Sequence, residues 1–182
     1  MAGLGAVRME RRLLAYSQQM RRLDCLTFSS AARPAAGRRR RAIMVVARVH
    51  PGETPASFAA AGLLEFLVGG SPQAAALLEA ATVTVVPMRH PDGVALGNYR
   101  CDAGGRDLNR EWASPTADTT PTIAATLHEA LRLAGAMPDA EADSDGLELF
   151  IDIHAHSTAR QSFFYLNPKG AWSRCTILAF II

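Results

Sequence analysis

The chain is organised around one segment, Ala42-Ile-Met-Val-Val-Ala-Arg-Val-His50-Pro-Gly-Glu53-Thr-Pro55. Its apolar, β-branched first half predicts a buried strand, and the turn that follows presents a histidine and a glutamate three positions apart. Imidazole nitrogen and carboxylate oxygen both suit zinc, and a catalytic zinc needs three protein ligands with one position left open. His50 and Glu53 are therefore candidate metal ligands, and a third ligand must come from elsewhere in the chain.

A second apolar run supplies the third candidate. Leu147-Glu-Leu-Phe-Ile-Asp-Ile-His154 predicts a strand whose last residue is a histidine. Because ligand sites in parallel sheets lie at the carboxyl ends of the strands, we expect His50 and His154 to meet at one edge of the sheet. His156 follows the apolar run, and we expect it to lie near the site without binding the metal.

Predicted strands alternate with predicted helices along most of the chain. Strands in such a pattern run parallel and are joined by right-handed crossovers. The sequence therefore predicts an α/β fold with a mixed, largely parallel sheet flanked by helices and incomplete at its C-terminal end. The expected helices cover 55–68, 72–80 and 121–137, and the expected strands cover 23–28, 42–50, 82–88 and 147–154. The stretch 89–119 is long and irregular, which is typical of a functional loop.

The N-terminal 22 residues are rich in arginine and poor in acidic residues. Met9, Leu13, Tyr16 and Met20 recur at helical spacing, which predicts a solvated amphipathic helix. The same composition is typical of a mitochondrial leader, so that alternative stays open. We accordingly expect the N-terminal segment, 1–22, to be separate from the domain that follows it.

The composition argues against several classes of function. The chain has 182 residues, of which 49% are hydrophobic and 20% charged, as expected for one globular domain with a buried core. Its net charge of +2 is too small to favour nucleic acid as the main partner. No apolar run approaches the roughly 20 residues that cross a bilayer, so no membrane partner is expected. Three scattered cysteines without a CxxC pair favour reduced thiols in the cytoplasm over a disulfide framework.

Five blocks of sequence together carry a family resemblance. They are His50-Pro-Gly-Glu53-Thr-Pro, Pro91-Asp-Gly-Val, Gly97-Asn-Tyr-Arg100-Cys, Asp107-Leu-Asn109-Arg110-Glu-Trp and Phe150-Ile-Asp-Ile-His154-Ala-His-Ser157. In this order they resemble the zinc metallocarboxypeptidases, and more narrowly the cytosolic carboxypeptidases, closest to their type-six branch. The resemblance implies a Zn2+-dependent enzyme that removes C-terminal residues, typically glutamates, from tubulin and other acidic protein tails.

The resemblance implies a metal-binding role for four residues. His50, Glu53 and His154 match the three zinc ligands of the family. Asp107 matches a carboxylate that orients the first of the two histidines. A ligand histidine usually donates its other N–H to such a carboxylate, which fixes the orientation of the ring.

Three further residues match the groups that handle the substrate. Arg100 matches the arginine that polarises the scissile carbonyl and stabilises its oxyanion, where a fixed positive charge favours the transition state. Asn109 and Arg110 match the pair that holds the terminal carboxylate of the substrate. A guanidinium and an amide together suit a carboxylate, so this pair would select chain ends over internal peptide bonds.

The sequence also departs from the family pattern. The general base of the family is a glutamate well beyond the third zinc ligand, yet none of the residues after His154 is a glutamate. We therefore expect a partial catalytic domain over 23–170, an atypical hydrophobic tail over 171–182, and a chain that is inactive or nearly so. His90 stands where the family usually has an asparagine.

Two other functions stay open at this point. A zinc amidohydrolase of the aspartoacylase or succinylglutamate desuccinylase type shares the pattern of His-x-x-Glu followed by a distant histidine. A non-catalytic module is the second alternative. Such a module would bind acidic tails through the run Arg38-Arg-Arg-Arg41 and the arginines of the long loop.

Overall fold

The computed structural model describes residues 6–32, 34, 40–137, 144–158, 161–166 and 175–182. Over these residues the chain forms seven strands, four α-helices and one 3-10 helix. The strands are β1 (Val7–Tyr16), β2 (Arg22–Ser30), β3 (Arg40–Ala47), β4 (Ala81–Val86), β5 (Ser144–His154), β6 (Phe163–Leu166) and β7 (Thr176–Ile181). The helices are α1 (Pro55–Val68), α2 (Pro72–Ala80), α3 (Pro91–Leu96) and α4 (Pro121–Leu133), and the 3-10 helix is Leu108–Ala113.

All seven strands belong to one sheet, in the order β1-β2-β4-β3-β5-β7-β6. The central strands β4, β3, β5 and β7 run parallel, whereas every pairing that involves β1, β2 or β6 is antiparallel. Helices α1 and α2 pack on one face of the sheet and α4 packs on the other. The predicted mixed α/β sheet flanked by helices is confirmed.

Strand β3 lies at the centre of the sheet and is buried on both faces, because its side chains alternate between them. Met44 and Val46 pack with α4, while Val45 and Ala47 pack with α1 and α2. Strand β5 runs beside β3 in parallel, with Ile153 opposite Ala47. The carboxyl ends of both strands therefore lie side by side at one edge of the sheet, where the residues that follow them meet.

The prediction of an N-terminal helix is wrong. Val7–Tyr16 forms the edge strand β1, which pairs antiparallel with β2 along its length. The residues at helical spacing share no buried face, since Met9, Tyr16 and Met20 are all exposed. Pairing with β2 satisfies the backbone hydrogen bonds of this segment and outweighs a weak local preference for helix. The segment is part of the sheet, and the expected boundary after residue 22 falls inside β2.

The C-terminal segment is more regular than the expected hydrophobic tail. Thr176–Ile181 forms β7, which lies between β5 and β6 and pairs with both. The apolar residues of this segment are explained by that position, because an inner strand has a neighbour on each side. Residues 171–174 of the expected tail lie outside the described residues.

The arginine run lies only partly within the described residues. Arg40 and Arg41 begin β3, and Nη1 of Arg41 donates to Oε1 of Glu148 on the neighbouring strand at 3.1 Å. Arg38 and Arg39 lie outside the described residues.

In the part of the chain that the structure describes, no single helix is long and apolar enough to span a membrane. Helices α1 and α2 pass the length and composition test only as a pair, and a bend of 91° separates them.

Candidate metal centre

The turn after β3 carries two of the three candidate ligands. The strand ends at Ala47, three residues before His50, so the histidine lies in the turn rather than on the predicted strand. The turn is tight, since the backbone N–H of Glu53 donates to the carbonyl of His50 at 3.2 Å. Helix α1 begins two residues later at Pro55. His50 and Glu53 are thus held between the central strand and a helix.

The buried side chain of Arg48 holds this turn in place through hydrogen bonds. Its φ of 61° is left-handed, a conformation that costs a non-glycine residue about 1–2 kcal/mol. Its guanidinium is buried, with Nε donating to the carbonyl of Pro51 at 2.8 Å and Nη1 donating to Oγ of Ser57 at 2.5 Å. These contacts tie the turn to the first part of α1 and offset the backbone cost.

The structure brings His50, Glu53 and His154 together. Nδ1 of His50 lies 2.7 Å from Oε1 of Glu53, and Nδ1 of His154 lies 3.0 Å from its Oε2. The two imidazole rings are 5.1 Å apart between centroids. One donor atom from each residue lies within 4.8 Å of the other two, so the three could hold one metal ion. Both histidines are buried and Glu53 is partly buried.

The residues around this group fit a zinc ion. Two imidazoles and one carboxylate form a donor set that zinc accepts in catalytic sites. The second ring nitrogen of each histidine faces a carboxylate: Nε2 of His50 lies 3.1 Å from Asp107, and Nε2 of His154 lies 3.1 Å from Asp152. With a metal bound at Nδ1, the N–H of each ring would lie on Nε2 and would donate to these carboxylates.

The electrostatics of the group favour an ionised glutamate. Burial acts to raise the pKa of Glu53, but hydrogen bonds from His154 and His50 and from the backbone N–H of Ala155 outweigh it and lower this pKa to about 2. Burial acts to lower the pKa of His154, but its contacts with Asp152 and Glu53 outweigh it and raise this pKa to about 9. Glu53 is therefore ionised at neutral pH, and His154 would have to release a proton before its Nδ1 could bind a metal ion.

Asp107 connects the first histidine to Arg100. Its Oδ1 faces His50 and also accepts the backbone N–H of Asn109 at 2.9 Å. Its Oδ2 accepts from Nε and Nη2 of Arg100, each at 2.8 Å. Burial acts to raise the pKa of Asp107, but these hydrogen bonds outweigh it and lower the pKa. The Arg100 side chain remains 42% exposed, so its guanidinium stands beside the metal group and in reach of solvent.

The structure separates the two residues assigned to the substrate carboxylate. Asn109 is partly buried, and its Oδ1 accepts the indole N–H of Trp112 at 3.0 Å. It lines a mainly apolar cavity of about 420 Å3 that also reaches Asp152 and His154. Arg110 is exposed, does not line this cavity, and donates from Nη1 to the carbonyl of Asn109 at 3.4 Å. Asn109 therefore adjoins the metal group, whereas Arg110 points to solvent.

Sequence reasoning missed two residues behind His154. Asp152 contacts Nε2 of His154, and Arg89 donates from Nη2 to Oδ2 of Asp152 at 2.7 Å. A signal for Asp152 was present, because a carboxylate two positions before a strand histidine shares its face. Arg89 gave no such signal, since it lies in a different segment, just after β4.

Two of the other three histidines contact backbone groups. His90 is buried before α3, and its Nδ1 lies 3.1 Å from the carbonyl of Val49. His156 is exposed beyond the end of β5, where its Nδ1 accepts the backbone N–H of Thr158 at 3.2 Å. None of these contacts brings a further imidazole to the metal group.

Comparison with known proteins agrees with this geometry. Residues 7–166 match the family model described as Peptidase_M14, zinc carboxypeptidase. Cytosolic carboxypeptidase 6 of Homo sapiens is 43% identical over 157 residues, which cover 86% of this chain and 30% of that protein. A solved metallo-carboxypeptidase from Burkholderia cenocepacia has a TM-score of 0.74 at 29% identity, covering 87% of this chain and 39% of that chain.

An aspartoacylase family protein from Mesorhizobium loti has a TM-score of 0.53 at 14% identity, covering 83% of this chain and 41% of that one. At this identity the likeness shows a shared fold alone. The match over residues 7–166 agrees with the sequence blocks, and the chain spans about 30% of the length of its human relative. The chain therefore belongs to the zinc carboxypeptidase family, and the curated proteins that it resembles include cytosolic carboxypeptidases.

Proposed function

We propose that this chain is the zinc-binding and substrate-anchoring part of a metallocarboxypeptidase. The observation that carries the proposal is the convergence of His50, Glu53 and His154, with both Nδ1 atoms facing the glutamate. Zinc bound there would act as a Lewis acid and would lower the pKa of a water molecule to about 7.

Arg100 is suited to act on the substrate carbonyl. Its guanidinium lies on Asp107, which itself contacts His50, so a carbonyl oxygen near the metal group would lie close to a fixed positive charge. Such a charge stabilises an oxyanion more than it stabilises the neutral carbonyl from which the oxyanion forms. The partial exposure of Arg100 lets a substrate reach it.

Asn109 and Arg110 would select the end of a peptide chain. Only a C-terminal residue carries a carboxylate next to the scissile bond, and an amide and a guanidinium together bind that group well. Asn109 already adjoins the cavity that reaches His154, and the exposed Arg110 would have to turn toward it when a substrate binds.

Among the described residues, the three carboxylates that contact the two histidines all have partners already. Glu53 faces both histidines, Asp107 faces His50 and Arg100, and Asp152 faces His154. None of the three is left to accept a proton from water. We therefore expect the 182-residue chain to bind zinc and peptide ends but to hydrolyse peptides very slowly on its own.

Acidic protein tails in the cytoplasm are the proposed substrates. The sequence blocks resemble the cytosolic carboxypeptidases, and this resemblance implies glutamates at the C-termini of tubulin and similar proteins. The positive charges of Arg100 and Arg110 suit such tails.

Zinc binding is the direct test of the metal site. Equilibrium dialysis and calorimetry of the recombinant chain should give one zinc per chain, and His50→Ala or His154→Ala should reduce its affinity by at least about 100-fold. His128→Ala, an exposed position on α4, should bind zinc like the wild type. Wild-type affinity in the His50 and His154 variants would contradict the proposed ligands.

Peptide binding tests the substrate proposal. A peptide that ends in two glutamates should bind the zinc-loaded chain at least about 10-fold more tightly than the same peptide with a C-terminal amide. Arg110→Ala should remove most of this difference. Equal affinity for both peptides, or tighter binding of an N-acylated amino acid, would favour the amidohydrolase alternative.

A further inference from the structure

His154 contacts a carboxylate that in turn contacts an arginine, as His50 does. Residues 152 and 154 are two apart on β5 and point to the same face of the strand. Nε2 of His154 lies 3.1 Å from Oδ2 of Asp152, while its Nδ1 lies 3.0 Å from Glu53. An imidazole that is held at both nitrogens has its ring orientation fixed.

Arg89 supplies the charge opposite Asp152. Its side chain is fully buried, and Nη2 donates to Oδ2 of Asp152 at 2.7 Å. The guanidinium also lies over the ring of Trp112, with 4.9 Å between Cζ and the ring centroid. Within the described residues, Nε and Nη1 of Arg89 and Oδ1 of Asp152 have no hydrogen-bond partner.

This ion pair is poorly explained by stability alone. Burying two charges costs several kcal/mol per ion, which their attraction offsets only when the remaining polar atoms are also satisfied. In this pair, three polar atoms are buried without a partner among the described residues. An apolar pair of similar size would often be as stable or more stable in such a position. The ion pair does fix the position of one carboxylate oxygen, because Oδ2 of Asp152 faces both Arg89 and His154.

At His50, the corresponding arginine is much more exposed than Arg89. Arg100 holds Asp107 in the same way, yet its side chain is 42% exposed. It can therefore leave Asp107 for a substrate, whereas the enclosed Arg89 has no route to one. Arg100 is thus suited to contact a substrate, and Arg89 is suited to hold Asp152.

We propose that Arg89 and Asp152 are positioning residues that hold His154 with Nδ1 directed at the metal position. The inference rests on the zinc site proposed above and adds two residues to it. Both residues would act through His154. Their effect is to lower the cost of orienting His154 when the metal binds.

The test measures zinc affinity of the whole 182-residue chain by competition with a chromophoric chelator. Asp152→Asn should weaken zinc binding by about 10–100-fold, the usual effect of losing a partner of a ligand histidine. Arg89→Lys, which keeps the charge, should cause a smaller loss. The absorption spectrum of the Co2+-loaded Asp152→Asn chain should also differ from that of the wild type, because the ligand field reports the orientation of His154.

A double variant separates positioning from stability. Arg89→Met with Asp152→Leu removes both charges together, so the fold should keep its melting temperature without metal. Its zinc affinity should nevertheless fall by at least about 10-fold. The control is Glu129→Gln, which removes the carboxylate that Glu129 of α4 offers to Arg12 of β1 and Arg132 of α4, and it should leave zinc affinity unchanged.

The outcomes are distinguishable. If the wild type binds one zinc and the double variant binds it equally well, the pair is only structural and this inference is overturned. If Asp152→Asn does not fold, the double variant and Arg89→Lys still decide the question. If the wild type itself binds no zinc, the proposed function fails and this inference fails with it.

Discussion

Arg48 holds a backbone conformation that an arginine rarely adopts, with φ at 61°. Arg48→Gly and Arg48→Ala both lose the contacts with Pro51 and Ser57, but only glycine escapes the steric cost of this conformation. We expect the glycine variant to be more stable than the alanine variant by ~1 kcal/mol. Urea unfolding of the two variants without metal measures the difference.

Met20 provides a matched control, because it has a similar φ of 59° at an exposed turn. Met20→Gly should also be more stable than Met20→Ala. Both Arg48 variants should bind zinc more weakly than the wild type, whereas both Met20 variants should bind it equally well. Unchanged zinc affinity in all four would show that Arg48 does not hold the turn.

Cys25 makes stability depend on pH in the alkaline range. Its thiol is fully buried, and burial raises its pKa from 9.0 to about 12. Below pH 9 the thiol is neutral in both states. Above it the unfolded chain releases a proton that the folded chain keeps, so the free energy of unfolding falls as pH rises, by up to ~1.4 kcal/mol per pH unit.

Cys25→Ala should remove this contribution. Between pH 9 and 11 its free energy of unfolding should fall less steeply than that of the wild type. Denaturant unfolding at several pH values measures both slopes. Parallel slopes would mean that the thiol ionises equally in the folded and unfolded chains.

At the scale of elements, α3 packs closely against the turn that carries His50. A Cβ added at Gly93 would overlap Cγ of Pro51 and lie 2.8 Å from Cε1 of His90. Gly93→Ala should therefore push α3 away from the turn, reducing the free energy of unfolding by about 1–3 kcal/mol. Zinc affinity should fall as well, because the turn moves. Calorimetry with and without zinc measures both effects.

Gly62 in α1 is the control for that substitution. A Cβ there meets no atom within 4 Å, so alanine introduces no clash. Gly62→Ala should stabilise the protein by about 0.5–1 kcal/mol through its higher helix propensity and leave zinc binding unchanged. If Gly62→Ala also destabilised the protein, the effect of Gly93→Ala could not be assigned to crowding against Pro51.

At the scale of the whole molecule, zinc would connect the turn after β3 to the end of β5. A ligand that binds only the folded state stabilises it by about 2.7 kcal/mol at 100 times its Kd. We therefore expect the melting temperature to rise with zinc and to return to its starting value when a chelator removes the metal. His154→Ala should abolish the rise, because it removes the ligand from β5. A zinc-dependent rise in that variant would indicate binding elsewhere.

The sequence predicted most of the core and failed where local pattern and tertiary pairing disagreed. Strand β3 was recognisable because its residues are apolar on both faces, as a central parallel strand requires. Strand β1 was not, since Met9 and Tyr16 happen to fall at helical spacing while remaining exposed. Its structure comes from pairing with β2, which no local pattern records.

The metal group was predictable from residue types, whereas its supporting contacts were not. His50, Glu53 and His154 follow or end apolar strands, so their chemistry and place along the chain identified them without coordinates. Arg89 and Asp152 are separated by 63 residues, and their pairing arises only when β4 and β5 enter the same sheet.

Side-chain chemistry and short-range periodicity were enough to predict strands β2 to β5, helices α1, α2 and α4, and the donor set for zinc. The tertiary structure was needed to show that the N-terminal segment is an edge strand and that a buried arginine contacts the carboxylate behind His154. Both depend on contacts between residues far apart in the chain. Such contacts are fixed by which strands become neighbours in the sheet, and no local pattern of residues encodes that choice.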